Sequence, residues 1–274
     1  MAALRAERLL YVAVGALAVF VGMQVKNERH HWLVAPDESF VDPQPIRRDV
    51  SEPAPGYRVV DPRQPDVTST TVATSSNAAP ADRDPAQINA RIALSSGTYM
   101  RDMLADLRNT LIRWPDRSDQ GLRIWVQSMS RVPDWDTRYA EMAREAFGDW
   151  NGDGLPIRFD FVLDSASSDV QIVWINRFPA SMGRRVGSTR RTTDANGWLV
   201  AAQITVAVHD SAGTVIEPSG LAGIVRHEAG HALGLGHSRD STTKMFPVEF
   251  THEITPADRA TLRLLYSLPP GRVP

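Results

Sequence analysis

Apolar residues in the second half of the chain recur with two different periods. Ile157-Arg158-Phe159-Asp160-Phe161-Val162 alternates apolar and polar positions, as a half-buried strand does. Leu122 to Val126, Val170 to Ile175 and Leu199 to Val208 are further strand-like runs. Between Asp136 and Trp150 the apolar positions Tyr139, Ala143, Ala146 and Phe147 fall three or four apart. That spacing predicts an amphipathic helix, with Asp136 placed to cap it. A second helix is predicted from Ser219, as its cap, into the histidine-rich segment near residue 230. It carries Gly220, Gly223 and Gly230, each costing a helix interior about 1 kcal/mol, so packing has to hold it more than propensity does. Thr255-Pro256-Ala257-Asp258 supplies an N-cap, a proline at the first helical position and a first-turn acid. The helix it starts should run to about Tyr266. Strand, helix, several strands, helix and final helix make an α+β order.

The N-terminal part reads differently. Residues 1–8 form a short basic tail, and Leu9 to Val25 is apolar apart from Gln24. Seventeen residues span roughly 26 Å as a helix, a little less than the ~30 Å of a bilayer core. The run is read as a transmembrane anchor or a cleavable signal peptide. As an anchor behind a basic tail it would put the rest of the chain outside the cytoplasm, and cleavage would release it. Residues 26–86 are rich in Pro, Ser and Thr, and Val67 to Ala81 lacks any apolar period. The expectation is a disordered linker, which cannot bury enough apolar surface to fold. Residues 87–113 place Tyr99, Met103, Leu107 and Leu111 at helical spacing, either packed on the domain or forming a short prosegment. The folded domain is expected over residues 114–274.

Chemistry concentrates in one segment, His227-Glu228-Ala229-Gly230-His231-Ala232-Leu233-Gly234-Leu235-Gly236-His237. It fills every fixed position of H-E-x-x-H-x-x-G-x-x-H. Residues i and i+4 share a helix face, so His227 and His231 can present imidazoles to one ion. Glu228 is offset by about 100° and borders that ion without having to bind it. Gly234 can end the helix with φ > 0, and the returning chain brings His237 as the third ligand. Three neutral imidazoles leave one position of a tetrahedral Zn²⁺ open for water, as in a catalytic rather than a structural site. Glu228 is then placed as general base and acid. His30, His31, His209 and His252 lie outside the motif and read as structural or solvated.

After His237 come Ser238 and then Met245-Phe246-Pro247. With the zinc motif, this resembles the metzincin metalloproteases and, within them, the matrixins. The resemblance implies a twisted, mostly parallel sheet, an active-site helix, a Met-turn and a C-terminal helix. It implies that Met245 floors the zinc ligands, with Ser238 and Pro247 supporting the turn. It implies an extended peptide or protein substrate lying along the sheet edge, within Val186 to Val208, with Phe246 to Thr251 lining the pocket beside the scissile bond. Latency in this family uses a propeptide cysteine, and this chain has none. Pro62-Arg63-Gln64-Pro65-Asp66 echoes that propeptide only faintly. No histidine pattern for a second zinc is found between Pro179 and Gly213.

The remaining observations narrow the reading. Asp149, Asn151 and Asp153 with Asp160 mimic a calcium loop, but Pro156 and the strand that follows favour an ordinary turn after a helix. The net charge of −2 argues against nucleic-acid binding by bulk electrostatics. The expected activity is that of a zinc endopeptidase. The alternatives are a zinc-bound binding module without proteolytic activity and a hydrolase of non-peptide amides.

Overall fold

The computed structural model describes residues 59–60, 67–73, 84–152, 154–247 and 253–273. The apolar run 9–25 lies outside the described residues, and so does most of the pocket segment after Phe246. Among the described residues, no helix is long and apolar enough to cross a membrane.

The strands are β1 (Val59–Val60), β2 (Val67–Thr71), β3 (Thr110–Leu111), β4 (Arg117–Val126), β5 (Ile157–Val162), β6 (Val170–Ile175), β7 (Gly187–Thr193), β8 (Leu199–Ala207) and β9 (Gly271–Arg272). The helices are α1 (Pro85–Leu94), α2 (Met100–Asp106), α3 (Arg138–Gly148), α4 (Pro218–Ala232) and α5 (Pro256–Ser267). Seven strands form one sheet in the order β1-β2-β7-β8-β6-β4-β5. The pairs β2–β7, β8–β6, β6–β4 and β4–β5 are parallel, and β1–β2 and β7–β8 are antiparallel. A mixed, mostly parallel sheet is therefore present. β8 sits in its interior and is buried at nearly every position, which is why its sequence is mostly apolar on both faces, Gln203 and Thr205 apart.

The helix α3 begins as its sequence implies. The Asp136 carboxylate accepts the Arg138 N–H at 2.8 Å, although Thr137 is the residue at the cap. Ser219 does not cap α4. The helix starts one residue earlier at Pro218, behind Glu217, with no side-chain cap. Proline at the first position has no N–H to satisfy, which removes part of the need for one. Most of α4 is buried, packed on β7, β8 and α3. α5 has the full capping box: Thr255 Oγ1 accepts from Asp258 N, and the Asp258 carboxylate accepts from Thr255 N.

One expectation about the N-terminal part needs correction, and the open choice for residues 87–113 is narrowed. Residues 67–71 do not belong to a linker. They form β2, a strand of the sheet, with Val67 and Ser69 buried. Their polarity hid this, because the strand is held by main-chain bonds to β7 rather than by an apolar stripe. The residues ahead of Trp114 also belong to the folded unit. Ile88, Ile92, Met100, Met103, Leu107 and Leu111 join the same core as Trp114, Phe147 and Leu262.

Candidate metal centre

The end of α4 sets the site. His227 and His231, one turn apart, are buried on the helix. The helix stops at Leu233, and Gly234 takes φ +107° where an added side chain would run into Ile112 O. The chain doubles back and returns His237. One nitrogen from each ring lies within 4.8 Å of the others. The rings of His227 and His231 meet edge to face at 4.7 Å, and those of His231 and His237 at 4.8 Å.

Hydrogen bonds on the outer nitrogens fix the tautomers. His227 Nδ1 lies 2.9 Å from Lys244 O, and His231 Nδ1 lies 2.9 Å from Leu235 O. A carbonyl oxygen only accepts, so each Nδ1 carries the proton and each Nε2 keeps its lone pair. Those two Nε2 atoms are 3.1 Å apart. Bonds of about 2.0–2.1 Å to a tetrahedral zinc would set two ligand nitrogens about 3.3 Å apart, so the pair fits that ion. On the third ring, Asp106 at the end of α2 faces His237 Nδ1 at 3.7 Å.

Other groups hold this arrangement, and helical spacing does not reveal them. The last carbonyls of α4 are satisfied by side chains. Trp114 Nε1 donates to Ala232 O at 2.9 Å and Tyr266 Oη to Leu233 O at 2.8 Å. Arg191 on β7 is buried and donates to both His231 O and Leu235 O. Leu235 O thus joins Arg191 to the His231 ring. The turn containing Met245 is clamped by Asp258, whose carboxylate accepts Lys244 N at 2.9 Å and Met245 N at 3.3 Å. Lys244 O is the acceptor for His227, so Asp258 orients a ligand through one peptide unit. Met245 is buried with its sulfur against Gly230, where any side chain would collide with it. The glycine in α4 is therefore a fit to the methionine rather than a flaw in the helix. Ser238 is buried, donates its N–H to Met245 O at 3.0 Å and accepts Asp240 N–H on its hydroxyl. Pro247 follows the turn, half-buried.

Glu228, on α4, is fully buried against the start of β7. Its Oε2 accepts the Thr189 hydroxyl at 2.6 Å. A side chain at Gly187 would strike Glu228 Oε1 and Ile224, so glycine there leaves room for the carboxylate. Gly187, Thr189 and Arg191 sit two apart on one face of a strand that reads Gly-Ser-Thr-Arg-Arg-Thr-Thr. The only signal for them was alternation, and with no apolar face it did not register as a strand.

Candidates outside this cluster serve other ends. Asp149 Oδ2 accepts Arg226 Nε at 2.6 Å, and its carbonyl accepts from Arg259. Asp160 on β5 pairs with Arg158. Asp153 lies outside the described residues. Asp149 thus meets arginines of two later helices at the turn after α3. His209 Nε2 lies 2.9 Å from Asp134 and away from the triad.

Residues 122–267 match the matrixin family of peptidases, more than half of the chain. The chain belongs to the matrixins. No curated protein matches it. Among solved structures, the one titled for myroilysin is similar at 12% identity, covering 71% of this chain and 90% of that chain with a TM-score of 0.37. The family match carries the assignment: this matrixin is a metalloendopeptidase, and the metal its family implies is zinc. Within the segment expected to carry the substrate edge, Val186 to Val208, β8 is interior and the outer side of β7 pairs with β2.

Proposed function

We propose that this matrixin hydrolyses peptide bonds of extracytoplasmic proteins, with Glu228 as general base and then acid. The observation that carries the reading is three buried imidazoles brought together, two of them with Nδ1 tied to a carbonyl, beside a buried carboxylate held by its own hydroxyl donor. His227, His231 and His237 would hold the zinc. When bound, zinc polarises the scissile carbonyl and makes a water acidic near neutral pH. Glu228 takes the proton of the attacking water and returns it to the leaving nitrogen. Thr189 holds the carboxylate through Oε2, and Oε1 lies beside Gly187. Asp258 and Arg191 act earlier, by orienting rings. Location outside the cytoplasm rests on the apolar run at residues 9–25 behind a basic tail.

The test compares zinc-loaded full chain with and without Glu228→Gln. On an unfolded protein substrate, the Gln form should be slower by about 10²–10⁴-fold at equal zinc content. Equal inertness of both forms with zinc bound would leave a binding module. Cleavage of small amides alone would leave a non-peptide hydrolase.

A further inference from the structure

We propose that the short helix α2, which lies ahead of the segment matching the matrixins, braces the third zinc ligand, with Asp106 the positioning residue for His237. The proposal rests on the zinc-holding part of the reading above and not on the cleavage part.

The three imidazoles are held by different means. His227 Nδ1 and His231 Nδ1 each face a main-chain carbonyl at 2.9 Å, Lys244 O and Leu235 O, both close to the ligands in sequence. His237 comes after the turn at Gly234, beyond the end of α4, so helical geometry does not set its ring. The group at its Nδ1 is a carboxylate from far upstream, Asp106 Oδ2 at 3.7 Å. Asp106 is not among the side chains whose ligand atoms gather within 4.8 Å of one another, so it stands behind the ring rather than at the ion. A carboxylate behind a metal-binding imidazole holds the ring's orientation and favours the proton on the nearer nitrogen, which leaves the lone pair on the other. At 3.7 Å the contact is longer than a hydrogen bond, so it acts through charge. The His237 side chain is only 8% exposed, so solvent screens that charge weakly.

A second contact comes from the same face of the helix. Asp102 lies one turn before Asp106. Its Oδ2 accepts the Arg239 N–H at 3.2 Å, two residues past His237, and its Oδ1 lies 3.9 Å from Arg239 Nε. One acid therefore holds the main chain beside the ligand, and the other faces the ring. The helix can serve as a support because its opposite face is fixed. Met100, Met103 and Leu104 are buried in the core. Just ahead of them, Tyr99 donates its N–H to Thr261 Oγ1 and its hydroxyl to Asp258, which ties the start of α2 to α5. Asp258 in turn holds the peptide whose carbonyl orients His227. A helix of seven residues thus bears on two of the three ligands.

The test uses the full chain and two readouts: the zinc dissociation constant, by competition with a chromophoric chelator, and denaturant unfolding of the metal-free protein. Asp106→Asn keeps the shape and removes the charge. It should raise the zinc dissociation constant about 10-fold, as loss of a group behind a metal ligand does, and leave metal-free unfolding unchanged. Asp106→Glu keeps the charge and should restore binding to within about threefold of wild type. Asp102→Ala removes the acceptor for Arg239 N and should weaken zinc binding by a smaller factor than Asp106→Asn.

If Asp106→Asn binds zinc as tightly as wild type, the brace falls and the zinc centre stands. If Asn and Glu at this position weaken binding equally, the charge of Asp106 has no positioning role and the proposal is overturned. Should Asp106→Asn fail to fold, Asp102→Ala decides, and unchanged zinc affinity there overturns the brace. If wild type itself takes up no zinc, the centre and its brace fall together. If zinc affinity follows the variants as stated while no form cleaves protein, the brace stands and the peptidase reading falls.

Discussion

The two edges of the sheet are finished by different means. At the far edge, Arg158 on β5 pairs with Asp160, and one strand further in the buried Asp169 takes the side chain and N–H of Arg123 on β4. Charges are a standing guard against unwanted strand pairing. At the site edge, β7 is guarded by a separate strand of the same chain, joined to α1 through residues 74–83. The far edge ends in charges, whereas beside α4 the ladder is carried on by another strand of the same chain.

Substitutions on the two sides should separate accordingly. On the site side, His231→Ala should lower bound zinc below about one-tenth of an equivalent and hydrolysis by roughly 10³-fold, read by metal analysis and cleavage of an unfolded protein. Arg191→Met should cost about 3 kcal/mol in denaturant unfolding, because it removes charged donors from two buried carbonyls and from Ser69. It should weaken zinc retention as well, which a change confined to packing would not do.

On the far side the effects are on stability alone. Burial pushes the Asp169 carboxyl up, but hydrogen bonds from the Arg123 side chain and N–H outweigh it and hold the group below the usual carboxylate range. Such a group stabilises the fold above pH ~4, and the contribution is lost as pH falls through its lower folded value. Asp169→Asn should therefore cost about 1–2 kcal/mol at neutral pH, and the gap from wild type should shrink below pH ~4 in an unfolding series. Arg158→Ala should change stability by no more than about 0.5 kcal/mol, since its ion pair with Asp160 is solvent-exposed. A large loss of activity from either far-side change would break the contrast between the edges.

The zinc segment was legible because its chemistry is local. Eleven consecutive residues, from His227 to His237, carry the ligands, the base and the turn, and the structure brings them together. The strands β5, β6 and β8 and the helix α5 were legible because apolar periodicity or capping marks them. What stayed hidden depends on long-range pairing. β7 and β2 are polar, and their faces acquire meaning only once α4 lies against Thr189 and Arg191. Asp258 reads as a helix cap and nothing more until its carboxylate is seen under the Met245 turn. The Pro- and Ser/Thr-rich composition of residues 26–86 described the absence of an apolar stripe correctly, but a strand can be recruited by backbone alone.

One carboxylate both starts α5 and clamps the peptide that aligns His227. A chain still being synthesised therefore has all three imidazoles well before it has the brace that aims the first of them. Until residue 258 has been made and its helix has docked, the centre is unaimed. The order of the sequence therefore makes the brace for the cutting chemistry the last part to arrive.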